Sequence, residues 1–173
     1  MAALLFVVDA LLTLLVVAFL LRLLLPLVRA DLRNPLGEAV LRITNPLVLP
    51  LRRILGAAGR VDAASVVALL VVQLAASALL TLLAGGNLTP GLLMRALREL
   101  ALTTLQFYFF AILLHALLSW TGPGAHGTAG RVLGRLCDPL LAPVRRVVPP
   151  IGGLDLSAVF VLIALQALQI LLR

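Results

Sequence analysis

Four long apolar stretches constrain this chain more than any other feature of its sequence. They run over residues 2–21, 63–84, 100–120 and 156–172. Their lengths of 17 to 22 residues match the roughly 20 residues of helix that cross the hydrocarbon core of a bilayer. The second and fourth stretches contain no charged side chain, so they lack the polar stripe of a helix at the surface of a soluble domain. The sequence therefore predicts an all-α integral membrane protein with four transmembrane helices.

Charge and composition exclude several classes of protein. The net charge of +7 comes from 14 arginines in a chain that is 62% hydrophobic. These arginines lie beside the apolar stretches, so anionic lipid headgroups are nearer partners than nucleic acid, and we expect no nucleic-acid binding. The single cysteine, Cys137, excludes an intrachain disulfide and a cysteine-built metal site. The sequence contains no catalytic triad, metal-binding pattern or phosphate loop, so we expect no enzymatic activity, cofactor or metal.

The arginines also predict how the spans are oriented. Six lie between the first and second spans and four between the third and fourth, ten in all, against three on the opposite side. Basic residues accumulate in cytoplasmic loops. We therefore expect a multi-pass protein of a bacterial inner membrane, with these two loops in the cytoplasm and both termini in the periplasm.

The two arginine-rich loops are copies of one another. Residues 45–65 and 138–158 align without a gap at an offset of 93 positions (138 − 45 = 93). Each copy is followed by one span and preceded by another, so the two halves insert with the same orientation, as parallel repeats. We predict a first repeat over 1–86, with spans at about 3–28 and 63–84, and a second over 87–173, with spans at about 100–120 and 155–172. The two copies are expected to lie side by side around a pseudo-twofold axis, which would gather four arginines into one basic patch.

Two prolines, four residues apart, occur in each copy. Proline removes a backbone donor and disfavours helical dihedral angles in the residue before it. The pattern therefore predicts a broken segment in which Asn45 or Asp138 caps a new turn. Its freed carbonyls could not face lipid. We expect each segment to lie in the headgroup layer as an interfacial element or to re-enter the bilayer sheltered by the spans.

The remainder of each copy carries charge. Each paired arginine is suited to bidentate contacts with phosphates or carboxylates. Asp155 is predicted to cap the fourth span, with Ser157 in its first turn, and Asp62 to do the same more weakly for the second span.

The two copies resemble the YggT family (also called the YlmG family) of small bacterial and plastid membrane proteins. Its pattern is an arginine near the end of a span, an N/D-P-L-x-x-P-x-R-R run, and a G-x-x-D-x-S run before the next span. The residues that fit are Arg22, Asn45, Pro46, Pro50, Arg52, Arg53, Gly59 and Asp62 in the first copy, and Asp138, Pro139, Pro143, Arg145, Arg146, Pro149, Pro150, Gly152, Asp155 and Ser157 in the second. His115 replaces the arginine of the second copy, which otherwise fits more fully.

The resemblance implies roles in membrane organisation around division and nucleoid distribution, in the assembly of plastid membrane complexes, or in osmotic and ion tolerance, with no common reaction. We predict a non-enzymatic protein whose loops act as an interaction or lipid-organising platform. Its expected partners are anionic lipid headgroups and either further copies of this chain or another membrane protein. The alternative hypothesis is an oligomeric ion or small-solute channel or transporter, with the intramembrane polar residues Asp9, Arg22 and His115 near its pathway.

Overall fold

The computed structural model of the chain describes residues 2–30, 34–55, 62–120, 127–146 and 155–173. Within these ranges the chain forms six helices and no strand, which confirms the prediction of an all-α protein. The helices are α1 (Ala2–Leu27), α2 (Pro35–Leu55), α3 (Ala63–Leu83), α4 (Leu92–Trp120), α5 (Thr128–Arg145) and α6 (Leu156–Leu172).

Three helices are long and apolar enough to cross a membrane by length and composition. They are α1, α3 and the part of α4 that ends at Ser119. The fourth apolar helix, α6, has 17 residues and is shorter than the other three. Each predicted span coincides with a helix, but α4 begins at Leu92 rather than near residue 100. The segment before the third span is therefore a continuous extension of that helix.

The four apolar helices pack as antiparallel neighbours. In the first repeat α1 packs on α3, and in the second α4 packs on α6. The start of α4 lies beside the end of α6, where Arg98 Nε donates to the carbonyl oxygen of Leu172. The two repeats meet where α3 packs on α4. Because membrane helices gain little from the hydrophobic effect, these contacts stabilise the bundle mainly by close packing and polar bonds.

The two proline-rich helices, α2 and α5, are continuous, so the predicted breaks are wrong. Each helix runs through both of its prolines, and neither Asn45 nor Asp138 caps a turn. The carbonyls that lose a donor to proline belong to the residues four positions earlier in each helix. These residues are exposed, so the freed carbonyls need no partner from the protein and the helix persists. They are Arg42, Pro46, Arg135 and Pro139.

Each proline-rich helix packs an apolar face on its own repeat. Val48 of α2 is buried in a cluster with Phe19 and Ala68. Leu141 of α5 is buried in a cluster with Ile112. Helix α5 also packs on the end of α1, where Arg135 Nη1 donates to the carbonyl oxygen of Arg29 at 2.5 Å. This contact joins the two repeats at the ends of α1 and α4 that carry the proline-rich helices.

The predicted pseudo-twofold arrangement of the repeats is also wrong. A twofold axis would exchange α1 with α4, α2 with α5 and α3 with α6. The contact of α3 with α4 would then require an equal contact of α6 with α1. The contact of α5 with α1 would likewise require one of α2 with α4. Among the described residues neither of these matching pairs packs extensively, and α2 does not pack extensively on α5. The two repeats therefore associate head to tail, and the four arginines lie on two separate helices.

Candidate functional site

Each repeat closes its proline-rich loop with an ion pair between an arginine and the aspartate that precedes the next apolar helix. In the first repeat Arg52 Nη2 lies 2.7 Å from Asp62 Oδ2. In the second, Arg145 Nε and Nη2 both donate to Asp155 Oδ2, at 2.9 and 2.5 Å. We call these contacts the loop-closing ion pairs. They hold the end of α2 or α5 against the start of α3 or α6.

The two aspartates also organise the first turn of the helix that follows. Asp155 Oδ1 accepts a hydrogen bond from the backbone N–H of Ser157 at 3.1 Å, which confirms the predicted cap. Asp62 occupies the same place before α3 without a side-chain cap, and accepts from Ser65 Oγ at 2.8 Å instead. The predicted cap by the Asp62 side chain is therefore absent, and the carboxylate bonds to the hydroxyl group of Ser65 instead.

Both aspartates ionise more readily than an ordinary carboxyl group. Burial alone would raise the pKa of Asp62, but hydrogen bonds from Arg52 and Ser65 and the positive charge of Arg52 outweigh it and lower that pKa. The pKa of Asp155 is lowered in the same way: burial opposes the shift, and Ser157 and Arg145 bring it about. Both ion pairs are therefore charged at neutral pH.

The paired arginines do not act as a unit. Arg52 and Arg145 contact carboxylates of their own chain, whereas Arg53 and Arg146 are exposed at the ends of α2 and α5. Even so, the side chains of Arg52 and Arg145 remain 44% and 38% exposed. The predicted contacts of the paired arginines with phosphates or carboxylates of a partner stay a prediction.

Arg22 lies at the centre of a buried polar network in the first repeat. Its side chain is 6% exposed. Nη1 donates to Thr44 Oγ1 at 2.8 Å and to Asn45 Oδ1 at 2.7 Å, and Nε donates to Ser65 Oγ at 3.3 Å. Ser65 Oγ in turn donates to Asp62. The partners of Arg22 are therefore two hydroxyl groups and the amide oxygen of Asn45.

The second repeat has an apolar cluster where the first has this network. The positions equivalent to Thr44 and Ser65 are Cys137 and Ala158 (44 + 93 = 137; 65 + 93 = 158). Both are buried in the apolar cluster of the second repeat. His115, equivalent to Arg22, is half-buried beside α5, where its Cε1 lies 3.7 Å from the point that a Cβ at Gly134 would occupy.

Cys137 is a structural residue. It is fully buried. Burial, together with the negative charge of Asp138, raises the pKa of its thiol to about 12. The thiol therefore stays protonated at neutral pH and is a poor nucleophile.

A polar cavity lies at the end of the bundle opposite α2 and α5, between α1, α3 and α4. Its volume is about 310 Å³. Glu99 accepts hydrogen bonds there from Ser77 Oγ at 2.5 Å and Arg95 Nε at 2.9 Å, and Gln73 Nε2 lies 3.5 Å from its carboxylate. The polar lining residues are Asp9, Thr13, Gln73, Ser77, Arg95, Glu99, Thr103 and Gln106.

This cavity contains one of the three predicted intramembrane polar residues. Asp9 lines it, whereas Arg22 and His115 do not. Glu99 was not predicted from the sequence as a cavity residue. The available signal was Gln73, a polar residue in an uncharged stretch, together with the carboxylate and guanidinium of Glu99 and Arg95 one turn apart at the start of the next helix.

The outer faces of α2 and α5 differ in chemistry. Helix α2 exposes large apolar side chains next to Arg42 and Arg53; they are Leu36, Ile43, Leu49, Ile54 and Leu55. None of the large apolar side chains described in α5 is exposed. Its described exposed residues are Arg131, Arg135, Asp138, Pro139, Ala142 and Pro143, and Arg146 is exposed directly after its end.

Four predicted motif residues lie outside the described parts of the chain; they are Gly59, Pro149, Pro150 and Gly152. In the part that is described, no group of three or more His, Cys, Asp or Glu side chains is arranged to hold a metal ion.

Comparisons with known proteins agree with the repeat. The family model described as CCB3/YggT matches residues 1–83 and again residues 94–173. A Pseudomonas aeruginosa protein described as uncharacterized is 36% identical over 98% of this chain and 87% of its own length. An uncharacterized Vibrio alginolyticus protein is 33% identical over 93% of this chain and 88% of its own. The Escherichia coli protein YggT, also described as uncharacterized, is 29% identical over 98% and 88%.

No solved structure matches the chain. Because the family model matches nearly all of its length in two separate passes, the chain belongs to the CCB3/YggT family and carries the family's repeat twice.

Proposed function

We propose that this chain is a non-enzymatic, multi-pass protein of a bacterial inner membrane, with α2 and α5 forming an interaction and lipid-organising platform on its cytoplasmic side. Helices α1, α3, α4 and α6 would be the four transmembrane helices. The 17 residues of α6 span about 25 Å at about 1.5 Å per residue. A helix of that length crosses a bilayer if the lipid thins locally or flanking residues reach the headgroups.

The orientation follows from the same helices. The ends of α1 and α4 and the starts of α3 and α6 lie at one end of the bundle with α2 and α5. Ten arginines belong to the two connections at this end, six in the first and four in the second. An anionic leaflet attracts each of them by about 1 kcal/mol. This end would therefore face the cytoplasm.

The contrast between the outer faces of α2 and α5 is the observation that carries the proposal. The exposed apolar side chains of α2, next to Arg42 and Arg53, have the chemistry of a helix that lies in the headgroup layer. The polar face of α5, with Arg146 at its end, suits water or an acidic segment of another membrane protein. One repeat would hold lipid and the other would hold a protein partner, as envelope organisation or the assembly of membrane complexes requires.

Photo-crosslinking from one position on each helix tests this division. A photoreactive amino acid would replace Ile54, the exposed apolar residue of α2, or Ala142, an exposed residue of α5. We expect lipid adducts from position 54 and discrete protein adducts from position 142. Arg146→Glu should remove the protein adducts, and Arg53→Glu, its equivalent in the first repeat, should leave them. Lipid adducts alone from both positions would refute the platform.

A second candidate is a pathway for an ion or a small polar solute. The polar cavity between α1, α3 and α4 supports it, because two carboxylates and two amides within apolar helices are costly without a function. If the cavity belongs to a pathway, flux through reconstituted protein should fall on Asp9→Asn and on Glu99→Gln. His115→Ala, a polar change outside the cavity, is the matched control and should leave flux unchanged.

A further inference from the structure

A stripe of α6 is uncovered although its counterpart on α3 is buried. On α3 the stripe consists of Leu69, Gln73 and Ser77, which are spaced by four residues, and all three are buried. At the same positions on α6 (69 + 93 = 162, and so on) stand Leu162, Gln166 and Ile170. Leu162 is half-buried, Gln166 is exposed and Ile170 is 66% exposed. The difference arises because α4 packs on α3, whereas none of the described helices packs extensively on this side of α6.

The start of α1 is also exposed, although the equivalent residues at the start of α4 are covered by other helices. On α4, Ala96 is buried, Glu99 bonds to α3, and Leu100 packs against the cluster of the first repeat. The equivalent residues on α1 are Ala3, Phe6 and Val7 (96 − 93 = 3, and so on). All three are exposed, and Phe6 is 73% exposed.

The two uncovered surfaces are therefore the two halves of one interface. Within the chain, the α3 surface of the first repeat meets the α4 surface of the second. The α6 surface that is equivalent to the α3 surface has no partner helix among the described residues. The same holds for the α1 surface that is equivalent to the α4 surface. We infer that α6 of one protomer packs on α1 of the next, which repeats the internal contact between chains. A head-to-tail contact of this kind closes into a ring when its rotation divides a full turn.

Polar groups on both surfaces favour protein over lipid as the cover. On α6 the surface carries Gln166 and Arg173, and the start of α1 carries Asp9 and Thr13, which also line the polar cavity of their own chain. These four occupy positions equivalent to the cavity-lining residues Gln73, Leu80, Leu102 and Gln106. Donors on α6 would thus meet a carboxylate on α1 of the neighbour. A lipid tail offers no partner to the exposed Gln166.

Cysteine crosslinking tests the contact in the complete, membrane-reconstituted chain. The variant Phe6→Cys/Ile170→Cys reproduces between chains the internal contact of Glu99 with Ser77. A short bismaleimide should join these cysteines and give a ladder of oligomers on a denaturing gel. The native Cys137 is retained, because its buried, protonated thiol does not react.

Two matched pairs define the outcome. Ser77→Cys/Glu99→Cys should crosslink within one chain, seen as a linked peptide without a change in oligomer size. Phe6→Cys/Ile163→Cys should give no ladder, because Ile163 and its equivalent Leu70 are both exposed and lie off the stripe. The inference is overturned if the internal pair reacts and Phe6→Cys/Ile170→Cys gives no ladder, or if the Ile163 pair gives an equal one.

A steric variant provides the second measurement. Ile170→Trp places a bulky ring in the proposed contact at a site that is exposed in a single chain, so folding should be unaffected. Native mass spectrometry in mild detergent should show the oligomer reduced at least tenfold relative to the wild type. Ile163→Trp is the control and should leave the oligomer intact. A wild-type protein that is monomeric in the bilayer and in detergent would also contradict the inference.

Discussion

The first repeat closes around a buried arginine, whereas the second closes around an apolar cluster at the same place. Arg22 donates to the side chains of Thr44, Asn45 and Ser65. The residues at the equivalent positions of the second repeat are His115, Cys137, Asp138 and Ala158. The arginine and its buried hydroxyl acceptors are exchanged together, as a buried guanidinium requires, because its desolvation is offset only by several hydrogen bonds.

The exchange also changes what the loop can do. In the first repeat Asn45 bonds to Arg22, so the loop is tied to the interior of the bundle. In the second, Asp138 is exposed and lies 3.5 Å from Arg145, so both charges remain at the surface. This difference distinguishes a loop position that is tied to the interior of the bundle from one that keeps its charge at the surface.

Removing the buried arginine should have the largest effect on stability. Arg22→Met deletes three hydrogen bonds of a charged group, each worth about 1.5 to 3 kcal/mol. We expect a loss of about 3 kcal/mol or more in the free energy of unfolding, measured by denaturant titration in mixed micelles. His115→Met, the equivalent change in the second repeat, should cost less, because the half-buried His115 is less desolvated than Arg22. Equal losses at the two positions would contradict the asymmetry.

Moving the arginine to the second repeat should have the next largest effect. His115→Arg places a guanidinium next to Cys137 and Ala158, which offer no good acceptors, so we expect a loss of about 2 kcal/mol in unfolding free energy. Adding Cys137→Thr and Ala158→Ser restores the acceptors and should recover most of it. If the triple variant is no more stable than His115→Arg, the acceptors and the arginine do not form one unit.

The loop-closing ion pairs should add a smaller, pH-dependent contribution. The pKa of Asp155 is lowered in the folded state, so this contribution is fully present above the ordinary value of 3.8 and is lost as the pH falls through the lowered pKa. The pair is partly exposed, which limits it to about 0.2 to 1 kcal/mol. Asp155→Asn keeps a capping residue and should flatten the acid limb of the stability profile. Asp62→Asn should do so equally, and an unchanged profile in both variants would refute this role.

The prolines should matter least for folding. Because α5 continues through Pro143 and that residue is exposed, Pro143→Ala restores a helical donor without changing the path of the chain. We expect a change in unfolding free energy of less than about 0.5 kcal/mol, or a slight gain, with helix content by circular dichroism unchanged. Pro50→Ala is the counterpart in α2 and should behave alike. A large loss at either site would show that the proline shapes the loop.

The positions of the apolar helices and the cap at Asp155 could be predicted because they depend on residues close together in sequence. The continuity of α2 and α5 could not, because it depends on the freed carbonyls lying at the exposed side of a helix that other helices hold in place. The bonds of Arg22 to Thr44 and Ser65 were missed for a related reason. A segment that is predicted to be broken does not assign its residues to a helix face. Only the packed helix brings the hydroxyl groups of Thr44 and Ser65 to the guanidinium of Arg22.

The arrangement of the repeats was mispredicted because sequence similarity shows that the chain contains two similar repeats but does not show how they pack together. Two similar units can meet through the same surface or through two different ones. The residues that decide between these, such as Glu99 and its counterpart Phe6, differ between the copies. Their difference was visible in the sequence, but its meaning depended on knowing that Glu99 contacts α3.

Spin-label accessibility in bilayers tests most directly whether the two repeats face different surroundings. Single labels would be attached at Ile43→Cys and Ile54→Cys on α2 and at Ala142→Cys on α5, with Cys137 retained. Collisions with lipid-soluble oxygen and with a water-soluble nickel chelate would be measured at each site. We predict that the α2 sites favour oxygen and that the α5 site favours the nickel chelate. Equal accessibility profiles on the two helices would contradict the account.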